Sequence, residues 1–235
     1  MLVRHRDPEA VARAAASAVV EGAFRAIHEH GNFRLVLAGG RTPRATYELL
    51  AGEMKDEVDW RRVTLFFGDE RCVPPGDEAS NYRMVKEALI DPLKLPSSMV
   101  HRMAGEVPAD NAAAEYDFDL RRAMEERQPA FDLVLLGMGP EGHTASLFPD
   151  SPALLERHRM AAHVTVPAQS PERLTMTPPA LASTRQILFM VTGADKAQAV
   201  AEVFGDDSVL PAAVISRLAP CRFLVDEAAA GSLSG

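Results

Sequence analysis

A chain of 235 residues and 25.5 kDa is long enough for one large α/β domain or two small ones, and length alone does not choose. Apolar residues make up 47% and charged residues 25%, which excludes wholesale disorder, and no stretch approaches the roughly 18 apolar residues of a membrane helix. The net charge of −8 argues against nucleic acid and acidic membranes as partners, so an anionic ligand would need basic residues gathered locally.

In chain order, Asp7, Pro8, Glu9 and Arg13 interrupt any signal-peptide core near the N-terminus, and a cytoplasmic protein is expected. Val11, Ala15, Val19, Ala23 and Ile27 recur at four-residue steps and predict a helix ending near Gly31. Arg34–Ala38 and Val63–Gly68 read as strands buried on both faces, because their apolar residues do not alternate with polar ones. A helix carrying Ala45, Leu49 and Leu50 lies between them. Ser80 is expected to cap a helix with Tyr82, Val85 and Leu89, stopped by Asp91-Pro92. Pro96–Pro108 is the loosest stretch, and Asp110 is expected to cap a helix with Ala113, Tyr116, Leu120 and Met124.

Phe131–Gly137 and Gln186–Thr192 are two further buried strands, with His163–Val166 and Arg222–Val225 as weaker ones and Ala194–Phe204 as a helix. Strands alternating with helices imply an α/β fold, doubly wound, with a mainly parallel sheet and helices on both faces. One domain is expected over 1–235, with room for a small insertion near 90–130. Cys72 and Cys221 make no disulfide framework and no CxxC pair.

In such sheets ligands bind outside the carboxyl ends of the strands, so the loops there carry the functional reading. After the first strand comes Gly39-Gly40-Arg41-Thr42-Pro43, where paired glycines and a helix start suit a phosphate; the bland reading is a tight turn. After the second comes Asp69-Glu70-Arg71, three charges expected to face a cleft, with Arg71 as an anion clamp; the alternative is a solvated loop with internal ion pairs.

After the third comes Gly137-Met138-Gly139-Pro140-Glu141-Gly142-His143, a glycine-rich turn with an ionisable Glu and His two residues apart. Histidine titrates near neutrality and is the commonest general base. The spacing of Glu141 and His143 matches no zinc motif, so no metal is expected. Arg173, before a proline-started helix, and Lys196, at the head of the helix after the fourth strand, complete a basic patch with Arg71. A lysine in a helix's first turn opposes the dipole unless an anion is present.

These stretches in this order resemble the 6-phosphogluconolactonase family, part of a wider group with the glucosamine-6-phosphate deaminases. The residues that carry the resemblance are GGRTP at 39–43, DERCVP at 69–74, SNY at 80–82, GMGPEGHTASLFP at 137–149, RLTMT at 173–177 and GADK at 193–196. The deaminases resemble Asp-Glu-Tyr-Val where this chain has Arg71, and Gly-His-Ile-Ala-Phe-Asn-Glu-Pro where it has GHTASLFP. At both places the chain sides with the lactonases. It departs from the family pattern at Glu141, where Asp is usual, and at Arg41, where Ser is.

The resemblance implies hydrolysis of 6-phospho-D-glucono-1,5-lactone to 6-phosphogluconate in the pentose phosphate pathway. His143 would be the base, with Glu141 beside it. Gly39, Gly40, Arg41, Thr42, Asp69, Arg71, Arg173 and Lys196 would hold the phosphorylated substrate, with no cofactor; a monomer is compatible with the sequence. The competing readings are deamination and isomerisation of an amino sugar phosphate, and a non-catalytic sugar-phosphate sensor.

Overall fold

The computed structural model describes residues 1–165 and 171–233. A short strand, β1 (Leu2–His5), leads into the long helix α1 (Pro8–His30), which Asp7 caps by accepting from the Ala10 N–H at 2.8 Å. Gly31 closes the helix in the left-handed conformation, as the Ile27–Gly31 pattern predicts. Then follow β2 (Phe33–Leu37), α2 (Arg41–Ala51), β3 (Val63–Phe67) and a three-residue strand β4 (Asp69–Arg71).

Ser80 caps α3 (Asn81–Val85) through the Arg83 N–H, as expected. Asp91-Pro92 does not stop this helix. A wider turn over Lys86–Ile90 carries the backbone past Pro92, which lacks the N–H for an ordinary i→i−4 bond, into α4 (Asp91–Leu93). Lys94, at φ 54°, ends it. The next helix, α5 (Ala109–Glu126), starts after Pro108 rather than at an Asp110 cap; Asp110 lies in its first turn, where its charge still complements the dipole. The stretch 90–130 also supplies β5 (Val100–His101), so it belongs to the main sheet and its covering layer.

The remaining elements are β6 (Leu133–Leu136), β7 (Ala161–Val164), β8 (Arg173–Met176), α6 (Pro178–Ala182), β9 (Ile187–Val191), α7 (Ala197–Val203), α8 (Pro211–Ser216) and β10 (Cys221–Asp226). The weaker strand predicted over His163–Val166 starts earlier, and Val166 lies outside the described residues. Where a single helix was predicted over Ala194–Phe204, a tight turn over Ala194–Lys196 precedes α7.

Seven strands form one parallel sheet in the order β1-β10-β9-β6-β2-β3-β5. Its strands are apolar on both faces. Leu35, Leu37, Leu133 and Leu135 pack with α1 and α2, while Val36, Val134, Leu136 and Phe189 pack with α5, α7 and α8 on the other side. This is the doubly wound arrangement expected.

A second sheet, antiparallel β4-β8-β7, was not anticipated as a unit; Leu174 and Met176 of β8 join the core under α5. From β2 the chain winds outward through β3 to β5, and from β6 the other way through β9 to β10. The winding therefore reverses between β2 and β6, and a crevice opens at the carboxyl ends there.

Candidate active site

A cleft of about 780 Å³ lies at that reversal. It gathers Gly39, Gly40, Arg41, Thr42, Asp69, Arg71, His143 and Lys196, eight of the ten residues singled out from the sequence. Glu141 is exposed and does not line the cleft; it lies beside His143. Arg173 does not line the cleft; it sits in β8 directly across from Arg71 in β4.

The loop after β2 makes one pole. Gly40, at φ 107°, precedes α2, and no side chain caps the helix, so its first N–H groups point out unclaimed by any acid. The Thr42 and Thr192 hydroxyls meet at 2.8 Å, joining this loop to the one after β9. Lys196 reaches the same region and is ion-paired with Asp195.

Gly39 is required for a steric reason. A Cβ on it would stand 1.9 Å from Asn81 Oδ1, so only glycine lets the Asn81 amide lie against the loop. Asn81 Nδ2 in turn donates to the Asp69 carbonyl at 3.0 Å and to Asp69 Oδ1 at 3.1 Å, while the Ser146 hydroxyl donates to Asp69 Oδ2 at 2.8 Å. Asp69 thus ties the loops after β2, β3 and β6 together.

Glu70 corrects the expectation that all three charges of the Asp-Glu-Arg segment face the cleft. Strand alternation turns it inward, 2% exposed. It accepts from the Arg71, Asn81 and Tyr82 N–H groups at 2.7 Å each and from the Ser80 hydroxyl at 3.0 Å. Burial pushes its carboxyl above the ordinary value, against the pull of these four donors.

Arg71 donates to the Ala79 carbonyl and, like Arg173, has a buried Nε without a partner among the described residues. Two like charges directly opposite on neighbouring strands repel. Burial, and then the charge of Arg71, lower the affinity of Arg173 for its proton. Such a pair is poised to receive an anion.

His143 sits on the turn after β6. A Cβ on Gly139 would come within 2.1 Å of its ring, so the glycine makes room for the imidazole. The ring lies 4.5 Å from that of Phe148. Glu141 Oε1 is 3.0 Å from the buried Nδ1, at ion-pair distance but not aligned as a hydrogen bond. Among the described residues no group of three His, Cys, Asp or Glu side chains is placed to hold a metal.

Asn81, Ser146, Thr192 and Asp195 join the site without a sequence signal of their own. Asn81 was quoted only within the SNY stretch and Ser146 within the histidine segment; their tie to Asp69 spans 12 and 77 residues and has no local signal.

Fold and cleft define a class: a parallel α/β protein whose cleft, at the reversal of the sheet, pairs an uncapped helix start and cations with a histidine. The family model described as glucosamine-6-phosphate isomerases/6-phosphogluconolactonase matches residues 6–221, and the chain belongs to that family. It is 36% identical to the 6-phosphogluconolactonase of Streptomyces coelicolor over 245 residues, covering 99% of this chain and 94% of the relative. It is 36% identical to that of Mycobacterium tuberculosis over 237 residues, covering 97% and 96%.

Among solved structures, the 6-phosphogluconolactonase of Thermotoga maritima superimposes with a TM-score of 0.84 at 30% identity, covering 97% of this chain and 99% of that one. A monomeric glucosamine-6-phosphate deaminase shares the fold at 20% identity, with a TM-score of 0.84 and coverage of 98% and 99%.

Proposed function

We propose that the chain hydrolyses 6-phospho-D-glucono-1,5-lactone to 6-phosphogluconate, in the oxidative pentose phosphate pathway and in the cytoplasm. The observation that carries this is that one cleft is lined both by the uncapped start of α2 with Arg41 and Lys196 and by His143. The α2 N–H groups, Thr42, Arg41 and Lys196 take the phosphate. Arg71, backed by Arg173, adds positive charge on the opposite wall, and Asp69 accepts from sugar hydroxyls.

Nδ1 of His143 is buried beside Glu141, which leaves Nε2 to take a proton from a water in the cleft. That water adds to the lactone carbonyl carbon, the bond from it to the ring oxygen breaks, and the ring oxygen gains a proton. Glu141 steadies the imidazolium formed on the way.

The test follows lactone loss with purified protein, corrected for spontaneous hydrolysis, beside ammonia release from glucosamine 6-phosphate. Catalysed lactone loss without ammonia is expected. Ammonia release would transfer the assignment to the deaminases, and binding without turnover would make the chain a sensor.

A further inference from the structure

The charges lining the cleft balance. Arg41, Arg71 and Lys196 are offset by Glu9, Asp69 and Asp195, in a protein whose net charge is already −8. A site for a phosphate ester is expected to be locally basic, so the three acids call for separate accounts. Glu9 is exposed in the first turn of α1 and makes no ion pair among the described residues. Asp69 is held by the neutral donors Asn81 and Ser146 and likewise pairs with no cation. Asp195 differs: its Oδ2 is bonded to Lys196 Nζ.

The loop geometry places that pair where a ligand anion would go. Gly193 takes φ 101°, and its N–H is consumed by the buried carboxylate of Asp226 at 3.1 Å, which fixes the turn that presents residues 194–196. A Cβ on Gly193 would stand 2.7 Å from Asp195 Oδ1, so the Asp195 carboxylate is folded back over the loop. The Lys196 side chain is only 19% exposed and that of Asp195 is 64% exposed, so the carboxylate is the more solvent-exposed partner of the pair. The bond from Lys196 holds the Asp195 carboxyl below its ordinary range, and the charge of Arg41 on the adjoining loop acts in the same direction.

We propose that Asp195 is an internal counter-ion that occupies Lys196 until the phosphate group of the ligand displaces it, and so sets how tightly anions are held in the cleft. The proposal rests on the sugar-phosphate reading above and adds to it a device for release. Hydrolysis of a lactone turns a phosphate ester into a phosphate ester with a carboxylate. A cleft of unopposed cations would hold that more anionic product more tightly than the substrate. Asp195, returning to Lys196, competes with the product for the same ammonium.

The consequence is unusual for a residue lining a binding cleft: removing its charge strengthens binding. Asp195→Asn and Asp195→Ala should each bind inorganic phosphate and 6-phosphogluconate about three- to tenfold more tightly by calorimetry, the range of a partly exposed ion pair plus relief of repulsion on the incoming dianion. Product inhibition should deepen in step. Lys196→Ala should weaken binding, and adding Asp195→Asn to it should tighten binding clearly less than in the parent, because the competition for the ammonium is gone and only the relief of repulsion is left.

Unchanged or weaker binding in both Asp195 variants would overturn the proposal and make Asp195 a ligand contact. Tightening that persists undiminished without Lys196 would overturn it as well. Because inorganic phosphate is measured without turnover, failure of the parent protein to hydrolyse lactone would sink the lactonase reading and leave this result standing.

Discussion

His143 combines a polar ring with a site prepared for it by smaller residues. Gly139 leaves the volume the imidazole occupies, Phe148 flanks it, and Glu141 lies beside the buried nitrogen. A positioned base contributes about 10²–10⁴ to the rate, so His143→Ala should lower kcat by that factor. KM should hardly move, because the phosphate pole is built from other loops. A folded His143→Ala protein that binds product and keeps the parental kcat would refute the role. At this scale much was legible in the sequence, since His143 and Lys196 stand in stretches that follow predicted buried strands. Arg173 was legible as a charge but not as the second row behind Arg71, because cross-strand register is not written in local sequence.

At the scale of elements, the long parallel strands and α1 follow from uninterrupted apolar runs and a clear four-residue period. The short elements do not. Three-residue β4 and four-residue β8 carry too few residues to display a period, and the charges of Asp69 to Arg71 read as a loop. Their pairing makes Glu70 an inward clamp between β4 and the start of α3. Glu70→Gln keeps one oxygen but sets an amide NH₂ against donors now served by a carboxylate. It should cost roughly 1–3 kcal/mol of stability in urea unfolding. KM should also rise, because the same clamp places Arg71 and Asn81, although Glu70 itself faces away from the cleft. A stability loss with KM unchanged would show that the β4–α3 junction does not set the site.

Across the whole molecule the two ends of the parallel sheet carry different kinds of polar group. The carboxyl ends hold partly unsatisfied cations and open helix N–H groups, which suit a ligand and cost stability without one. The amino ends hold an ionic network around Asp132, whose side chain is 3% exposed. It accepts from the Arg34 N–H and from Arg127 at 2.8 Å each, lies 3.1 Å from His30 Nε2, and is 3.5 Å from Arg185. Those partners come from β2, from the last residue of α1, from the segment after α5 and from the approach to β9, so one carboxylate ties elements of both covering layers to the sheet. Removing one member of a buried ionic network leaves the others uncompensated and costs about 3–5 kcal/mol. Asp132→Ala should therefore lower Tm by roughly 6–20 °C for a chain of this size. Below that lowered Tm its kcat and KM for lactone should match the parent, since no residue of the network reaches the cleft. Calorimetric melting beside steady-state kinetics separates the outcomes. A variant that melts like the parent, or one that stays folded and loses turnover, would contradict this division between a supporting end and a working end of the sheet.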